Sequence, residues 1–347
     1  MKVDRPDQRI LGTGTAGFIG YYPVRCLLSL SESFQVVVFD NLNDYYGLTL
    51  KMNGLSLLAE FPNFSFIQGN LADQNSVMSL FDSENPNLVV NLTAQAGVRY
   101  SGGSPNTYAQ SNTISFFNLF EACRHYPVKY LMYASSSPVY GNQKKIPFSI
   151  SNPVDHPISL YAATKKSNKL LAYSYSRLFG IPSTGLHFSI VHAPYGRPNM
   201  AYFSFTMKIP SGETIQVYSN GNLYRDFTYI DDVAPAIGKV LLCPPYRTED
   251  ESNELTSTPN RIYNIGSNRP EKLAHFSNVL EQVLCQKAKI GYLPIRSGEG
   301  YQTFADITES HKDFGFQGSV KIERGLTHFA NCINYAIRYM DDYDYAD

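Results

Sequence analysis

The sequence predicts an α/β protein: a doubly wound parallel sheet with helices on both faces, joined to a smaller mixed α/β region. Three observations carry this expectation. A short apolar segment near the start runs into a glycine-rich turn. Apolar strand-like runs then alternate with helical spacing through the first half. From about Pro194 the composition shifts to Tyr, Phe, Gly and Asn, with only short strand signals.

In order along the chain, Arg9 to Thr13 leads into Gly14-Thr15-Ala16-Gly17-Phe18-Ile19-Gly20. Strand, glycine-rich turn and helix is the layout of a dinucleotide site. The glycines let backbone N–H groups approach a pyrophosphate, and the positive end of the helix stabilises it. A second strand, Gln35 to Phe39, ends in Asp40. An acid there takes the adenosine ribose hydroxyls and repels an added phosphate, so NAD is expected over NADP. Pro23 should kink or shorten the first helix unless it falls in its first turn.

Phe64 to Ile67 reads as a strand, followed by Gly69-Asn70-Leu71 and a helix from about Gln74 to Phe81. Leu88 to Leu92 is an apolar run bounded by turn signals, as a parallel strand covered on both faces should be. Thr107 to Arg124 has helical spacing. Tyr130 to Ala134 is the next strand and delivers Ser135-Ser136-Ser137-Pro138-Val139-Tyr140-Gly141. A helix with Tyr161 and Lys165 follows, then a strand from about Thr184 to Phe188. Further on, Thr214 to Tyr218 is a strand and Asp231-Asp232-Val233 opens a helix. Pro244 to Asn260 reads as a polar surface insert, Arg261 to Gly266 as a strand, and Gly325 to Tyr339 as an amphipathic terminal helix. The division expected is residues 1–188 plus about 229–265 for the dinucleotide, and about 189–228 plus 266–347 for the substrate.

Composition excludes several functions. The chain has 347 residues, long enough for one large domain or two coupled ones. Its 29 basic and 30 acidic residues leave a net charge of −1, which argues against a nucleic-acid or polybasic membrane surface. The five cysteines are far apart and form no C-x-x-C pair, so neither a disulfide framework nor a metal site is expected. The start lacks the apolar core of a signal peptide and no run is long enough to span a bilayer, so a cytoplasmic protein is expected.

Tyr161 and Lys165 are four residues apart, on one face of a helix. An ammonium that close should pull the phenol pKa down and make a general base able to take a proton from a sugar hydroxyl.

Together the segments GTGTAGFIG, DNLNDYY, NLTAQAGVRYS, YASSSPVYG, SLYAATKKSN, YGRPNM, RDFTYIDD and NIGSN resemble the extended short-chain dehydrogenase/reductase superfamily. Within it the chain is similar to nucleotide-sugar epimerases, above all UDP-glucuronate 4-epimerases. The resemblance implies a Rossmann-type domain with tightly held NAD, a UDP-sugar substrate, and a homodimer joined by a four-helix bundle near Thr107–Arg124 and Tyr161–Phe179. It also implies a set of roles. Gly14, Gly17, Phe18 and Ile19 would hold the pyrophosphate, Asp40 and Asn41 the adenosine ribose, and Asn70 and Leu71 would lie beside adenine. Leu92, Ala94, Gln95 and Ser111 would line the cofactor. Tyr161 would be the base, Lys165 would bind the nicotinamide ribose, and Ser136 would bridge the sugar O4 and the tyrosine. Arg225 would meet the diphosphate, Tyr218 the uracil, and Arg296 and Glu299 phosphate and uridine ribose.

The reaction so implied is oxidation at C4 to a 4-keto sugar, rotation of the sugar, and reduction on the other face. Ser136-Ser137-Pro138 offers no carboxylate of the kind that dehydratases and decarboxylases carry there. Pro138 and Ile190 stand where UDP-glucuronate epimerases have hydroxyls, His187 where they have Arg, His192-Ala193 where they have Tyr-Gly, Asn70 where they have Asp, and Tyr301 where they have Pro. Arg197 remains as the carboxylate partner. Three readings stay open: a UDP-glucuronate epimerase, an epimerase of a neutral UDP-hexose or UDP-N-acetylhexosamine, and a weakly catalytic or non-catalytic nucleotide-binding protein.

Overall fold

The computed structural model describes residues 8–246, 257–295 and 300–339. Seven parallel strands form its main sheet. They are β1 (Gln8–Thr13), β2 (Phe34–Asp40), β3 (Phe64–Gln68), β4 (Leu88–Asn91), β5 (Tyr130–Ser136), β6 (Ser183–Phe188) and β10 (Asn260–Ile265). Their spatial order is β10-β6-β5-β4-β1-β2-β3. The order reverses between β1 and β4, which opens a crevice at the strand C-termini where a dinucleotide is bound in such sheets.

Helices cover both faces. On one face α1 (Phe18–Leu30), α2 (Leu48–Leu58) and α9 (Ile230–Leu241) close a core built around Ile10, Val36, Val38, Val90, Met132 and Leu186. On the other face α3 (Gln74–Glu84), α6 (Ser115–His125) and α7 (Leu160–Phe179) pack over Leu11, Val37, Phe39, Val89, Leu131 and Tyr133. Odd and even positions of each strand thus feed different cores, which is why these strands read as continuous apolar runs.

Three local outcomes differ from expectation. Pro23 lies beyond the first turn of α1, yet the helix continues to Leu30. Burial of Tyr21, Pro23, Val24, Leu27 and Leu28 on the sheet and on α9 offsets the lost backbone bond, which costs about 3 kcal/mol in an exposed helix. The helix expected over Thr107–Arg124 is not uniform. Short helices α4 (Tyr100–Gly103) and α5 (Pro105–Tyr108) lead into a π-helical turn, Ala109–Ile114, before α6. Its cause is visible in the buried side chain of Asn112, which is drawn toward the chain after β4. Third, α2 follows the loop after Asp40 and was not anticipated.

Beyond β6 lies the smaller region. Strand β9 (Tyr224–Tyr229) pairs with β7 (Ile190–His192), β11 (Pro270–Lys272) and β13 (Gln302–Thr303), and β8 (Thr214–Tyr218) pairs with β12 (Lys289–Leu293). Helices α8 (Ala201–Lys208), α10 (Leu273–Leu284) and α12 (Ile322–Tyr339) enclose a third core of Phe203, Phe227, Phe276, Leu326 and Phe329. A short α11 (Thr308–Phe314) lies between them in sequence. Most of the expected surface insert, residues 247–256, and both Arg296 and Glu299 lie outside the described residues.

Candidate active site

The glycine turn between β1 and α1 is built for close approach. Gly14 has φ +67°, and a Cβ there would come within 2.4 Å of the Thr93 backbone. The N-terminus of α1, at Gly17, Phe18 and Ile19, has no side-chain cap of its own. Its amides therefore suit an anion. Two of them are engaged: Phe18 N–H donates to the Tyr46 hydroxyl at 3.1 Å and Gly17 N–H to the Gly14 carbonyl at 3.4 Å. Asp40, at the end of β2, is buried and accepts from the Leu42 amide at 2.9 Å. Burial raises its pKa, while backbone amides and the Lys51 ammonium oppose that rise. Lys51 is itself buried, with Nζ donating to the Asn43 carbonyl at 2.6 Å and its side-chain oxygen at 2.9 Å. Asn41 turns its side-chain oxygen to the Asn43 amide at 3.1 Å.

Across the crevice, Leu92 donates its amide to Thr13 at 2.8 Å, and Ala94 and Gln95 follow it. Gln95 is buried and its Nε2 has no partner among the described residues. Asn112 grips the backbone of Gln95 twice, accepting from its N–H at 2.8 Å and donating to its C=O at 3.1 Å. The same Nδ2 donates to Thr164 Oγ1 at 3.0 Å, and that hydroxyl donates to the Tyr161 carbonyl at 2.9 Å. The π-helical turn, with Ser111 and Asn112 on it, is thereby tied to the base-bearing helix. Leu71 is buried and its carbonyl accepts from Asn118, whereas Asn70 caps the local turn through Ala72 N–H.

An uncharged turn with room only for glycine, a buried ribose acid and an orphaned Gln95 amide together fit a dinucleotide. NAD would be held by Gly14, Gly17, Phe18, Ile19 and Asp40, with Gln95 and Lys165 on the nicotinamide side.

Helix α7 is capped by Ser159, whose Oγ accepts from Ala162 N–H at 3.1 Å, and it presents Tyr161 and Lys165 on its buried face. Lys165 Nζ donates to the Ala134 carbonyl at 2.8 Å. Burial pulls its pKa down to about 8. Burial also raises the pKa of Tyr161, and the opposing influences are a hydrogen bond from Ser136 and the charge of Arg197. One of the three Lys165 ammonium hydrogens goes to Ala134, and Ser136 and Arg197 oppose the burial-driven rise of the Tyr161 pKa. Tyr108 packs edge-on against Tyr161, with ring centroids 6.0 Å apart.

Arg197 lies within reach of this centre. Its Nη1 donates to Ala96 O at 3.3 Å, and its charge opposes the burial-driven rise in pKa of Tyr46, Tyr108 and Tyr161. Tyr218 ends β8 and sits under the Arg99 guanidinium at 5.9 Å. Arg225 projects toward the chain at Gly300 and Tyr301, donating to their carbonyls at 3.1 and 3.4 Å. The structure thus gathers Ser136, Tyr161, Lys165 and Arg197 in one place, with the glycine turn and Asp40 in the adjoining crevice. Sequence reasoning missed Tyr46, Lys51, Tyr108 and Asn112. The first two lie in or just after DNLNDYY, and only the folded loop shows them returning to the glycine turn.

Comparison with known proteins agrees with this geometry. Residues 10–266 match the model of the NAD dependent epimerase/dehydratase family. The chain is 40% identical to Protein CapI of Staphylococcus aureus, over 93% of this chain and 97% of that protein. It is 36% identical to a probable UDP-glucuronate 4-epimerase of Rhizobium meliloti, over 92% of this chain and 95% of the relative. Among solved structures, UDP-glucuronic acid 4-epimerase from Bacillus cereus, in complex with UDP-glucuronic acid and NAD, superposes with a TM-score of 0.83 at 27% identity, covering 94% of this chain and 99% of that one. The chain belongs to the NAD-dependent epimerase/dehydratase family.

Proposed function

We propose that this enzyme interconverts UDP-glucuronate and UDP-galacturonate by 4-epimerisation. The reaction class, NAD-dependent 4-epimerisation of a nucleotide sugar, is supported by the family match and by the Ser136–Tyr161–Lys165 centre beside a dinucleotide crevice. The choice of sugar rests on one observation: the Arg197 guanidinium, near enough to Tyr161 to oppose the burial-driven rise of its pKa, offers a carboxylate partner beside the base.

When bound, NAD supplies reversible two-electron oxidation at the sugar carbon. The chain's own residues do the rest. Tyr161 takes the proton from the C4 hydroxyl and later returns it, with Ser136 holding the oxygen between them. Lys165 fixes the ribose and keeps positive charge near the phenolate. The apolar shell of Tyr108, Leu92 and Ala94 keeps water from the keto sugar. Tyr218 and Arg225 are placed in this reading toward the nucleotide, as are Arg296 and Glu299. The expected division into an NAD unit and a sugar-nucleotide unit belongs to the same reading.

A homodimer is also part of the proposal. Ile114 and Phe117 on one helical stretch, and Leu170, Leu178 and Phe179 on α7, leave apolar side chains exposed, Leu178 by 72%. A four-helix bundle between two copies would cover them. Among the described residues no helix is long and apolar enough to cross a membrane.

The competing reading, a neutral UDP-hexose, draws on Pro138 and Ile190, which bring no hydroxyl to the pocket. Purified protein incubated with UDP-glucuronate, without added NAD, should yield UDP-galacturonate. Arg197→Ala should lower kcat/KM for UDP-glucuronate by roughly 10–100-fold, the loss of a charge-assisted pair, while sparing any turnover of UDP-glucose. Unchanged turnover of UDP-glucuronate in Arg197→Ala would remove the case for the acidic sugar.

A further inference from the structure

We propose that His187 is a positioning residue for the reaction, setting the place of Ser136 through Tyr140. Ser136 ends β5 and passes directly into the turn Ser137–Tyr140, so whatever anchors that turn fixes the Ser136 hydroxyl. The anchor is Tyr140. Its ring stacks on Phe148 with centroids 4.8 Å apart, and meets the His187 ring edge-on at 5.4 Å. Its hydroxyl lies 2.7 Å from Asn264 Oδ1 and 3.0 Å from His187 Nδ1.

The direction of each bond follows from the one before it. Asn264 Nδ2 gives its hydrogens to the carbonyls of Phe148 at 2.7 Å and Asp306 at 3.0 Å. Its Oδ1 is therefore the atom facing Tyr140, and the Tyr140 hydroxyl must donate to it. The Tyr140 oxygen is then left to accept, so His187 carries a proton on Nδ1. Backbone register brings these groups together. His187 on β6 stands directly across from Ser135 on β5 and from Asn264 on β10. Tyr140, His187 and Asn264 are all buried.

The neutral form is secured by surroundings. Burial, with Lys169 and Lys166 of α7 adding positive charge and Asn264 opposing, pushes the His187 pKa down to about 3. Its Nε2 has no hydrogen-bond partner among the described residues, so Nδ1 carries the bond to Tyr140. A longer basic side chain at this place would bring a charge into the row and could not serve as a single neutral donor to Tyr140. The effect on catalysis runs through Tyr161. Ser136 is the first of the groups that lower the Tyr161 pKa against burial, and Arg197 is the second, while Tyr45 raises it. A displaced Ser136 leaves the base harder to ionise.

The inference rests on Tyr161 being the base, not on which sugar is bound, so the assay uses whichever UDP-sugar the wild-type protein turns over. His187→Leu removes the donor. His187→Asn places an amide N–H where Nδ1–H stood. Tyr140→Phe keeps the stack on Phe148 and removes the hydroxyl link. For His187→Leu and Tyr140→Phe, kcat should fall roughly tenfold or more with KM changed much less, as a misplaced reacting group predicts. The acid limb of kcat/KM should move up by about half a pH unit or more. His187→Asn should recover most of both. If His187→Leu does not fold, Tyr140→Phe carries the same expectation. An acid limb that stays in place in a folded variant, or His187→Asn behaving like His187→Leu, would overturn the proposal.

Discussion

The perturbation with the clearest physical consequence is His192→Phe. His192 ends β7, is buried, and is surrounded by aromatic rings: Tyr229 at 5.3 Å, Tyr202 at 6.1 Å and Phe227 at 6.2 Å between centroids. Helix α12 closes the remaining side, since a Cβ on Gly325 would approach His192 Nε2 to 2.4 Å. Neither ring nitrogen has a hydrogen-bond partner of good geometry among the described residues. Burial lowers the pKa to about 4, with the Thr228 backbone opposing. In the unfolded chain the ring titrates near 6.5. The folded state holds the neutral form, so this stability is complete above pH 6.5 and is lost as pH falls toward the folded pKa. Each unit of difference corresponds to about 1.4 kcal/mol. The loss at pH 5 is therefore about 2 kcal/mol, a large share of a typical total of 5–15 kcal/mol. His187 adds a loss of the same sign over a window reaching lower, since its folded pKa is about 3. Urea unfolding followed by far-ultraviolet circular dichroism at pH 7.5 and pH 5 measures this directly. His192→Phe should lose about 2 kcal/mol less than wild type between the two pH values. Any overpacking by the larger ring would shift both values together and leave the difference intact. Equal losses in the two proteins would refute the reasoning.

Two further predictions concern the centre itself. Tyr161→Phe should lower kcat by about a hundredfold or more, the worth of a positioned general base, while NAD binding measured by calorimetry stays close to wild type. Tyr46→Phe removes the acceptor that holds the Phe18 amide and leaves that N–H without a partner in the cofactor-free protein. NAD should then bind several-fold tighter, about 1 kcal/mol, and weaker binding would contradict the geometry.

Much of the main sheet was legible from the chain because parallel strands covered on both faces advertise themselves as apolar runs. Leu88–Asn91 and Tyr130–Ser136 are examples, each feeding two cores at once. Asp40 and Gly14 were equally readable, since one needs a carboxylate after β2 and the other a positive φ. The smaller region resisted for the opposite reason. Strand β9 and helix α10 earn their places through packing of Phe227 on Phe276, whose rings stack at 4.8 Å, and nothing local in RDFTY or LAHFSN signals that partnership. The π-helical turn was illegible because its cause, Asn112 reaching Gln95, is a contact between distant parts of the chain. The surroundings of the Tyr161–Lys165 pair were legible only in part. Spacing put both side chains on one helix face, but only the fold reveals that Ala134 is the lysine's nearest acceptor.

The Tyr46 hydroxyl at the head of α1 changes how the affinity of that crevice should be understood. A phosphate oxygen arriving at the Phe18 amide finds a donor already paired, so the contact is a swap of partners. What the enzyme gains from it is the difference between two hydrogen bonds, not the whole of one. Were a phosphate oxygen to take the place of the Tyr46 hydroxyl, the Phe18 amide would be satisfied before and after.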